Sequence, residues 1–491
     1  LATRGLHQEN EKPAPFISII IVTWNKKKDV LNLLEALSKL DYPVDRLETV
    51  LVDNASTDGT TEQVHLKYPA VHILKHPENL GGSGGFNAGM RWILANRPNS
   101  DYLWLLDNDV LVPPESLDML VRALESRPDA AVCGSKILDQ QNPEELIEVG
   151  AYIDYRRGDI RQNRGTTHQQ PGTDGIEEVD YVAACSLLVR ASVLKSVGLW
   201  HEDFFIYWDD MEWGVRFKTF GYRVLATHHS IVYHPSWAGR TSDKSVVWRN
   251  YYRARNGLCF FNHYSSGLKR RLILGRMILR FHLIGANNCL RSETAVSDAF
   301  SEAIDDFFRG RYGKKSLSLP ESNLERFIKI RRPEDIFVFL PRETMVQMAE
   351  PILAQLLLYE GAFRLHLIVS NTEWKDRPSL FHRNNLLTFK PNASGGITMI
   401  DKMRLLLSIR SKMNRNPLLI TPPLTPRFLA MTGLPIAKVD FEKGETITIQ
   451  QLNVPLLLRS SCKTVWDVFR ALLAPPKRIW RISEAIDPDP S

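Results

Sequence analysis

Tyr102-Leu103-Trp104-Leu105-Leu106-Asp107-Asn108-Asp109 is an unbroken apolar run that ends on two carboxylates one residue apart. Apolar residues without alternation read as a strand covered on both faces, the kind found at the centre of a parallel sheet. Residues two apart on an extended chain project to one side, so Asp107 and Asp109 leave the strand together. Such a pair can hold Mg²⁺ or Mn²⁺ against a diphosphate, because these cations keep open positions for substrate phosphates. Asp-x-Asp also occurs in ordinary turns and helix caps. The surrounding pattern has to decide.

Upstream, the chain reads as strand 17–23, helix 28–40, strand 48–53, helix 60–67 and strand 71–75. A glycine-rich turn, a helix over 87–96 and the strand before Asp107 follow. Strands alternating with helices indicate an α/β fold with a mostly parallel sheet. In such sheets ligands gather at the carboxyl ends of the strands. Thr23 and Asn25 end the first strand, Asp53 and Asn54 the second, Asn79 follows the third, and Asp107 and Asp109 end the fourth. Four polar strand ends in register point to a nucleotide site. Taken alone, the run 53–60 reads equally as a turn and a capped helix. The run Gly81-Gly82-Ser83-Gly84-Gly85 lacks the Gly-Lys-Ser/Thr ending of a phosphate loop and does not fit a dinucleotide fingerprint. Glycines there let the backbone, at Gly82 for instance, approach a sugar or phosphate at a helix start.

A second constellation is Phe204-Phe205-Ile206-Tyr207-Trp208-Asp209-Asp210-Met211-Glu212-Trp213-Gly214. Residues 209–220 pattern as an amphipathic helix with acids in its first turn, which by itself only complements the helix dipole. Adjacent carboxylates beneath aromatic residues also suit a general base, because burial and a like charge raise a carboxyl pKa. Trp208 and Trp213 offer faces for sugar rings and, with Glu212, are the expected acceptor contacts. His234 ends a further strand. A lone histidine is usually structural, but facing Asp109 it would complete a metal site.

Composition bounds the rest. A chain of 491 residues favours two domains, and 44% hydrophobic with 24% charged residues describes a soluble globular protein. A net charge of +6 gives no warrant for nucleic-acid binding. The five cysteines show no paired spacing, which suits a reducing compartment without structural zinc. No run of 18 apolar residues and no leader pattern occurs, so no membrane span is expected. The start at Leu1 fits a trimmed or processed chain.

Together these residues carry a resemblance. Ile19-Ile20-Ile21-Val22-Thr23-Trp24-Asn25 and Val52-Asp53-Asn54-Ala55-Ser56-Thr57-Asp58-Gly59 resemble the opening of family 2 inverting glycosyltransferases of the GT-A fold. With Asn79-Leu80-Gly81-Gly82-Ser83-Gly84-Gly85-Phe86, the Asp209-Asp210 segment and His234, residues 16–262 are similar to bacterial galactofuranosyltransferases and related rhamnosyltransferase-like members. The resemblance implies that Thr23, Asp53, Asn79 and Gly82 bind the donor nucleotide, with Asp107 beside them. It implies that Asp107, Asp109 and His234 bind Mn²⁺ or Mg²⁺, that Asp210 is the base, and that Asp209 orients the acceptor hydroxyl. Asn108 stands where those galactofuranosyltransferases have a third Asp, which weakens the sugar assignment more than the chemistry.

Beyond the core, Arg253 and Arg255 in the run 250–256 are candidates to meet an acceptor pyrophosphate, or simply belong to an exposed basic helix. Residues 267–290 mix basic and apolar side chains in a pattern that suits a membrane surface or a packed helix. From about 334 the α/β pattern restarts, with strands at 336–340, 364–370, near 387 and at 417–421, and helices at 344–359 and 398–413. A last helix is expected near 462–473. The expected organisation is a tail 1–15, a GT-A domain 16–262, a helical linker 263–332 and an accessory α/β domain 333–491. The expected activity is metal-dependent inverting transfer of galactofuranose from UDP-galactofuranose to a glycan or lipid-linked acceptor. Rhamnosyl transfer from dTDP-rhamnose is the alternative, and an inactive glycan-binding scaffold the alternative of another class. A cytoplasmic place, with peripheral contact on the inner face of the plasma membrane, is expected; a homo-oligomer is left open.

Overall fold

The computed structural model describes residues 13–162, 174–235, 244–289 and 294–316. It further describes 333–340, 349, 353, 356, 364–370, 385–389, 399–412, 417–421, 435–440, 445–451 and 454–473. The first strands are β1 (Ile17–Thr23), β2 (Leu47–Asp53), β3 (His72–Lys75) and β4 (Tyr102–Asp107). Helices α1 (Lys27–Leu37), α2 (Thr60–Lys67) and α3 (Gly81–Asn96) connect them. After α4 (Ser116–Glu125) come β5 (Ala130–Asp139), β6 (Leu146–Glu148), β7 (Ala151–Asp154), β8 (Asp159–Gln162), β9 (Ile176–Glu178) and β10 (Ser186–Arg190). Short α5 (Leu194–Val197), α6 (Asp209–Thr219) and β11 (Arg223–His234) complete the sheet region.

The nine-stranded sheet has the order β3-β2-β1-β4-β10-β5-β11-β9, with β6 on β5. β1 pairs in parallel with β2 and β4, placing Thr23 beside Asp53 and Val22 beside Asp107. β10 runs antiparallel to both β4 and β5, and β11 is parallel to β5. The carboxyl ends of β1, β2, β4 and β11 therefore share one edge. The fold is α/β with a largely parallel sheet, as the alternation of the sequence predicts.

Period-two alternation within β1 explains why both faces are covered. Ile17, Ile19 and Ile21 point to one core with Leu51, Trp104 and Leu106. Ile20 points to the other with Val50, Val52, Leu103 and Leu105. Each isoleucine of β1 is inaccessible or nearly so, and burying one contributes about 1.5–3 kcal/mol. The first core is closed by α1 and α4, the second by α3 and α6.

The start of α3 differs from the sequence expectation. Gly81 to Gly85 read as a turn, yet α3 begins at Gly81. Packing overrides the low helix propensity of glycine. A Cβ at Gly85 would lie 2.5 Å from Val22 Cγ1, and one at Gly89 2.5 Å from Ile20 Cγ2. Only bare backbone lets the helix lie this close to the strands.

Past β11, α7 (Lys244–Tyr264), α8 (Gly267–Cys289) and α9 (Thr294–Arg309) pack on one another. The stretch expected as a linker holds two of these helices, and they share an apolar cluster with Phe204, Phe205 and Trp208. A second, six-stranded sheet contains β12 (Asp335–Leu340), β13 (Arg364–Ser370), β14 (Asn385–Phe389), β15 (Leu418–Thr421), β16 (Pro435–Asp440) and β17 (Glu445–Gln451). Its order is β14-β13-β12-β15-β16-β17, and only β17 joins antiparallel. Strands β16 and β17 were not anticipated. The helix expected at 344–359 lies mostly outside the described residues, although 349, 353 and 356 are helical. Asp335 is fully buried at the start of β12, where it accepts from Arg364 at 3.0 and 3.1 Å and pairs with His366 at 2.8 Å. This cluster sits at the amino ends of the strands, away from the edge where α/β sheets bind ligands.

Helix α10 (Met399–Lys412) follows β14, and α11 (Val454–Leu473) begins earlier than expected and packs on α8. His282 of α8 meets Asp467 of α11 at 3.0 Å. Among the described residues, no helix is long and apolar enough to cross a membrane.

Candidate active site

At the shared edge, Asp107, Asp109 and His234 each offer a ligand atom within 4.8 Å of the others. His234 Nε2 lies 3.2 Å from Asp109 Oδ1 and 3.9 Å from Asp107 Oδ2. The other ring nitrogen, Nδ1, lies 3.0 Å from the Pro235 carbonyl oxygen. A carbonyl only accepts, so Nδ1 carries a proton and Nε2 points its lone pair, or a second proton, at the carboxylates. Two carboxylates and one imidazole nitrogen converging on one point can hold a cation between them. The donor set of two oxygens and one nitrogen fits Mn²⁺ or Mg²⁺. Asn108 does not join this set: its amide donates to the Val22 carbonyl at 2.9 Å, turned back towards β1.

The protonation pattern follows from this crowding. Burial and then the Asp109 charge raise Asp107, although 44% of its side chain stays open to solvent. Burial works to raise Asp109 too, but the His234 hydrogen bond and charge hold it below the usual carboxylate range. For His234, burial works against the charged form, and the Asp109 hydrogen bond and charge outweigh it and raise the pKa.

Asp209 and Asp210 open α6. Asp209 is 5% exposed and accepts a 2.7 Å hydrogen bond from Ser83 of α3. Burial raises its pKa against the opposing effect of that bond. Burial, then the charges of Asp209 and Glu148, push Asp210 well above the usual carboxylate range. Glu148 ends β6, with the Tyr181 hydroxyl 3.3 Å from it. No motif in the sequence marks Glu148. Ser83 carried a faint signal, as the one hydroxyl within a run of glycines. Burial, and then the charges of Asp107, Glu148, Asp109 and Asp210, raise the Cys185 thiol, so these four carboxylates lie around one side chain.

The segment before α6 is strained. Phe205, Tyr207 and Trp208 have φ of 65°, 63° and 70°, a region costing about 1–2 kcal/mol for each non-glycine residue. The carbonyl of Phe205 accepts from the Ser83 N–H at 3.2 Å. Gly81, at φ 75°, leaves room for that carbonyl: a Cβ there would lie 2.0 Å from the Phe205 oxygen. Gly81→Ala is expected to cost roughly 2 kcal/mol or more in a denaturant melt. Gly82→Ala, whose Cβ would meet nothing closer than 3.8 Å, is expected to fold within about 1 kcal/mol of the parent.

The donor-side residues gather at the ends of β1 and β2. Thr23 is 1% exposed and Asn54 2%, and neither the Thr23 hydroxyl nor the Asn54 amide oxygen has a hydrogen-bond partner. A buried polar atom left so costs about 1–3 kcal/mol. Asp53 accepts from the Ser56 N–H at 3.0 Å, and Asn25 accepts from the Thr57 N–H at 2.7 Å, which fixes the two loops together. Asn79 accepts from the Gly81 N–H at 2.8 Å and so secures the start of α3. Gly82 lies between Asp209 and Ile206.

The expected acceptor contacts lie elsewhere. Trp213 is fully buried, its indole donating to the Gly198 carbonyl at 2.9 Å. Glu212 is 1% exposed and held by Arg216 at 2.5 and 3.1 Å and by the Tyr264 hydroxyl at 2.6 Å. Trp208 donates to the Arg253 carbonyl at 3.0 Å and packs against Phe260 and Phe261. Residues three and four apart on a helix share a face, so Glu212 and Trp213 follow buried Asp209 along the inner side of α6 and run deeper into the core. Arg255 likewise cannot reach a pyrophosphate: it is 1% exposed and faces the carbonyls of Asp203, Phe204 and Gly313. Arg253 remains exposed.

Residues 18–196, which include the Asp107–Asp109 edge, match glycosyl transferase family 2. The chain is similar to galactofuranosyltransferase GlfT2 of Mycolicibacterium smegmatis, 23% identical over 361 residues, covering 69% of this chain and 54% of the relative. It is also similar to N-acetylglucosaminyl-diphospho-decaprenol L-rhamnosyltransferase of Mycobacterium tuberculosis, 27% identical over 304 residues, covering 56% and 95%. The chain spans about half the length of the galactofuranosyltransferases it matches. Among solved structures, a Pyrobaculum calidifontis mannosyltransferase in complex with GDP-Man and Mn²⁺ aligns with TM-score 0.38 and 18% identity, over 60% of this chain and 76% of that one.

Proposed function

We propose that the chain is a metal-dependent inverting glycosyltransferase that moves galactofuranose from UDP-galactofuranose to a hydroxyl of a surface-glycan or lipid-linked acceptor. The observation that carries this reading is the convergence of Asp107, Asp109 and His234 beside the raised carboxyl of Asp210. Asp210 takes the proton from the acceptor hydroxyl, and that oxygen attacks the anomeric carbon as the bond to the nucleoside diphosphate breaks. Asp209, fixed by Ser83, keeps the hydroxyl in line. Asp107, Asp109 and His234 hold the divalent ion, which when bound neutralises charge on the leaving phosphates. Thr23 and Asp53 receive the nucleoside. One displacement inverts the centre without a covalent enzyme intermediate.

Two of the relatives are named as galactofuranosyltransferases, which supports the sugar. The rhamnosyl reading draws support from the near-complete span of the rhamnosyltransferase relative and from Asn108 in place of a third Asp. A donor screen by product mass, offering UDP-galactofuranose, UDP-hexopyranoses and dTDP-rhamnose, separates them. Turnover with UDP-galactofuranose is expected; turnover with dTDP-rhamnose alone transfers the assignment.

A lipid-linked acceptor suits a face shared by α8 and α11. Leu272, Leu279 and Leu283 are exposed on α8, and Trp466, Phe469 and Leu473 on α11, beside the seam where Gly275 meets Leu472. Helix α8 carries five basic residues and no acid, so an anionic lipid surface is the complementary occupant. Vesicles containing acidic lipid are expected to carry the protein in flotation, and Leu272→Asp with Leu279→Asp to abolish it. Failure to float, or a concentration-dependent dimer lost in the same variant, contradicts the lipid assignment.

A further inference from the structure

The strained segment 204–208 is held from behind by α7. The Asn256 side-chain amide donates to the carbonyls of Phe204 at 2.9 Å, Ile206 at 2.8 Å and Tyr207 at 2.8 Å. Arg255 Nε donates to Asn256 Oδ1 at 2.9 Å. A guanidinium has no acceptor, so the Asn256 oxygen must face Arg255 and its NH₂ must face the carbonyls. Arg255 then adds its own bonds at 3.1 Å to the carbonyls of Asp203 and Phe204. Both side chains are 1% exposed. In this segment, where Phe205, Tyr207 and Trp208 have positive φ, the carbonyls of Phe204, Ile206 and Tyr207 converge on the Asn256 amide, and without donors they would repel one another.

The far side of the same segment touches the site. Phe205 receives the Ser83 N–H, and Ser83 Oγ reaches Asp209. Asp209 follows Trp208 directly, so the direction in which α6 starts is set by these carbonyls. We propose that Asn256, braced by Arg255, is a positioning residue that fixes the start of α6 and thereby aims Asp209 and Asp210 at the acceptor hydroxyl. This rests on the enzymatic reading above. Asn256 touches neither donor nor metal group, so its removal should act on turnover and spare nucleotide binding.

Asn256→Asp keeps the shape and removes the donors, presenting an oxygen to three carbonyls. It is expected to lower kcat about 100-fold, the cost of misplacing a reacting group by roughly 1 Å, with donor KM and UDP–Mn²⁺ affinity within about twofold. Hydrogen exchange at the amides of Ser83 and Met211 is expected to quicken, with β1, β2 and β4 unchanged. Arg255→Lys, which retains one cation but not the fork, is expected to show a milder loss with the same split, and serves if the first variant does not fold. Full turnover in Asn256→Asp with an active parent overturns the positioning role. So does an equal collapse of kcat and nucleotide binding in both variants, which a general loss of structure would give. A parent inactive with every donor instead fails the enzymatic reading, and the positioning role with it.

Discussion

Asp210→Asn is expected to lower kcat by about 10²–10⁴-fold, the usual contribution of a positioned base, without lowering UDP–Mn²⁺ affinity. The amide keeps the shape of the side chain, and its single oxygen keeps the shorter contact with the Met211 N–H at 2.8 Å while the long one from the Ala184 N–H at 3.4 Å is lost, but it cannot accept the acceptor proton at neutral pH. The pH profile gives a second reading of the same group. A base must be ionised, and burial with the charges of Asp209 and Glu148 holds Asp210 well above the usual carboxylate range. The kcat of the parent should therefore fall as pH is lowered through a midpoint above that range. Asp209→Asn removes one of the like charges, so its relative kcat profile should shift to lower pH. Steady-state kinetics across pH on the three proteins check this; an unshifted midpoint in Asp209→Asn contradicts the coupling.

Asp109→Asn and His234→Ala are expected to raise the Mn²⁺ concentration for half-maximal rate by at least about 100-fold, since even loss of a supporting group costs 10–100-fold in metal affinity. Donor binding should weaken with it, because these residues would hold the ion that neutralises the diphosphate in the proposed reaction. Asn108→Asp supplies the contrast. Its side chain faces the Val22 carbonyl rather than the cluster, so the added carboxylate should leave the Mn²⁺ requirement near that of the parent. Titration of activity and of UDP binding with Mn²⁺ distinguishes the three variants. An Asp109→Asn protein with the parent's metal requirement would contradict the assignment.

The strand ends were readable in the sequence because each obeys a short-range rule. Apolar runs mark β1, β2 and β4, and the polar residue that ends each one falls at the same edge once the strands are parallel. His234 read as a strand-end residue that would complete a metal site if it faced Asp109, and the resemblance named it a ligand, since a single histidine 125 residues beyond Asp109 carries no local pattern that brings the two together. The unread parts depend on contacts distant in sequence. Glu148 reaches Asp210 through β6, a three-residue strand with no periodic signal. Glu212 and Trp213 share a segment with the base, but the turn of α6 takes them into the core. Arg255 looked like a phosphate ligand because sequence shows its charge, while the carbonyls that surround it come from residues about fifty positions away. The glycines of α3 show the same thing: packing against Val22 and Ile20 decides that they are helical.

The most direct test of the account is the anomeric configuration of the product, followed by NMR during transfer from the active donor with and without Mn²⁺. The account predicts product only with the ion, with the configuration opposite to that of the donor. Retention of configuration, or equal rates after the ion is removed, would contradict it.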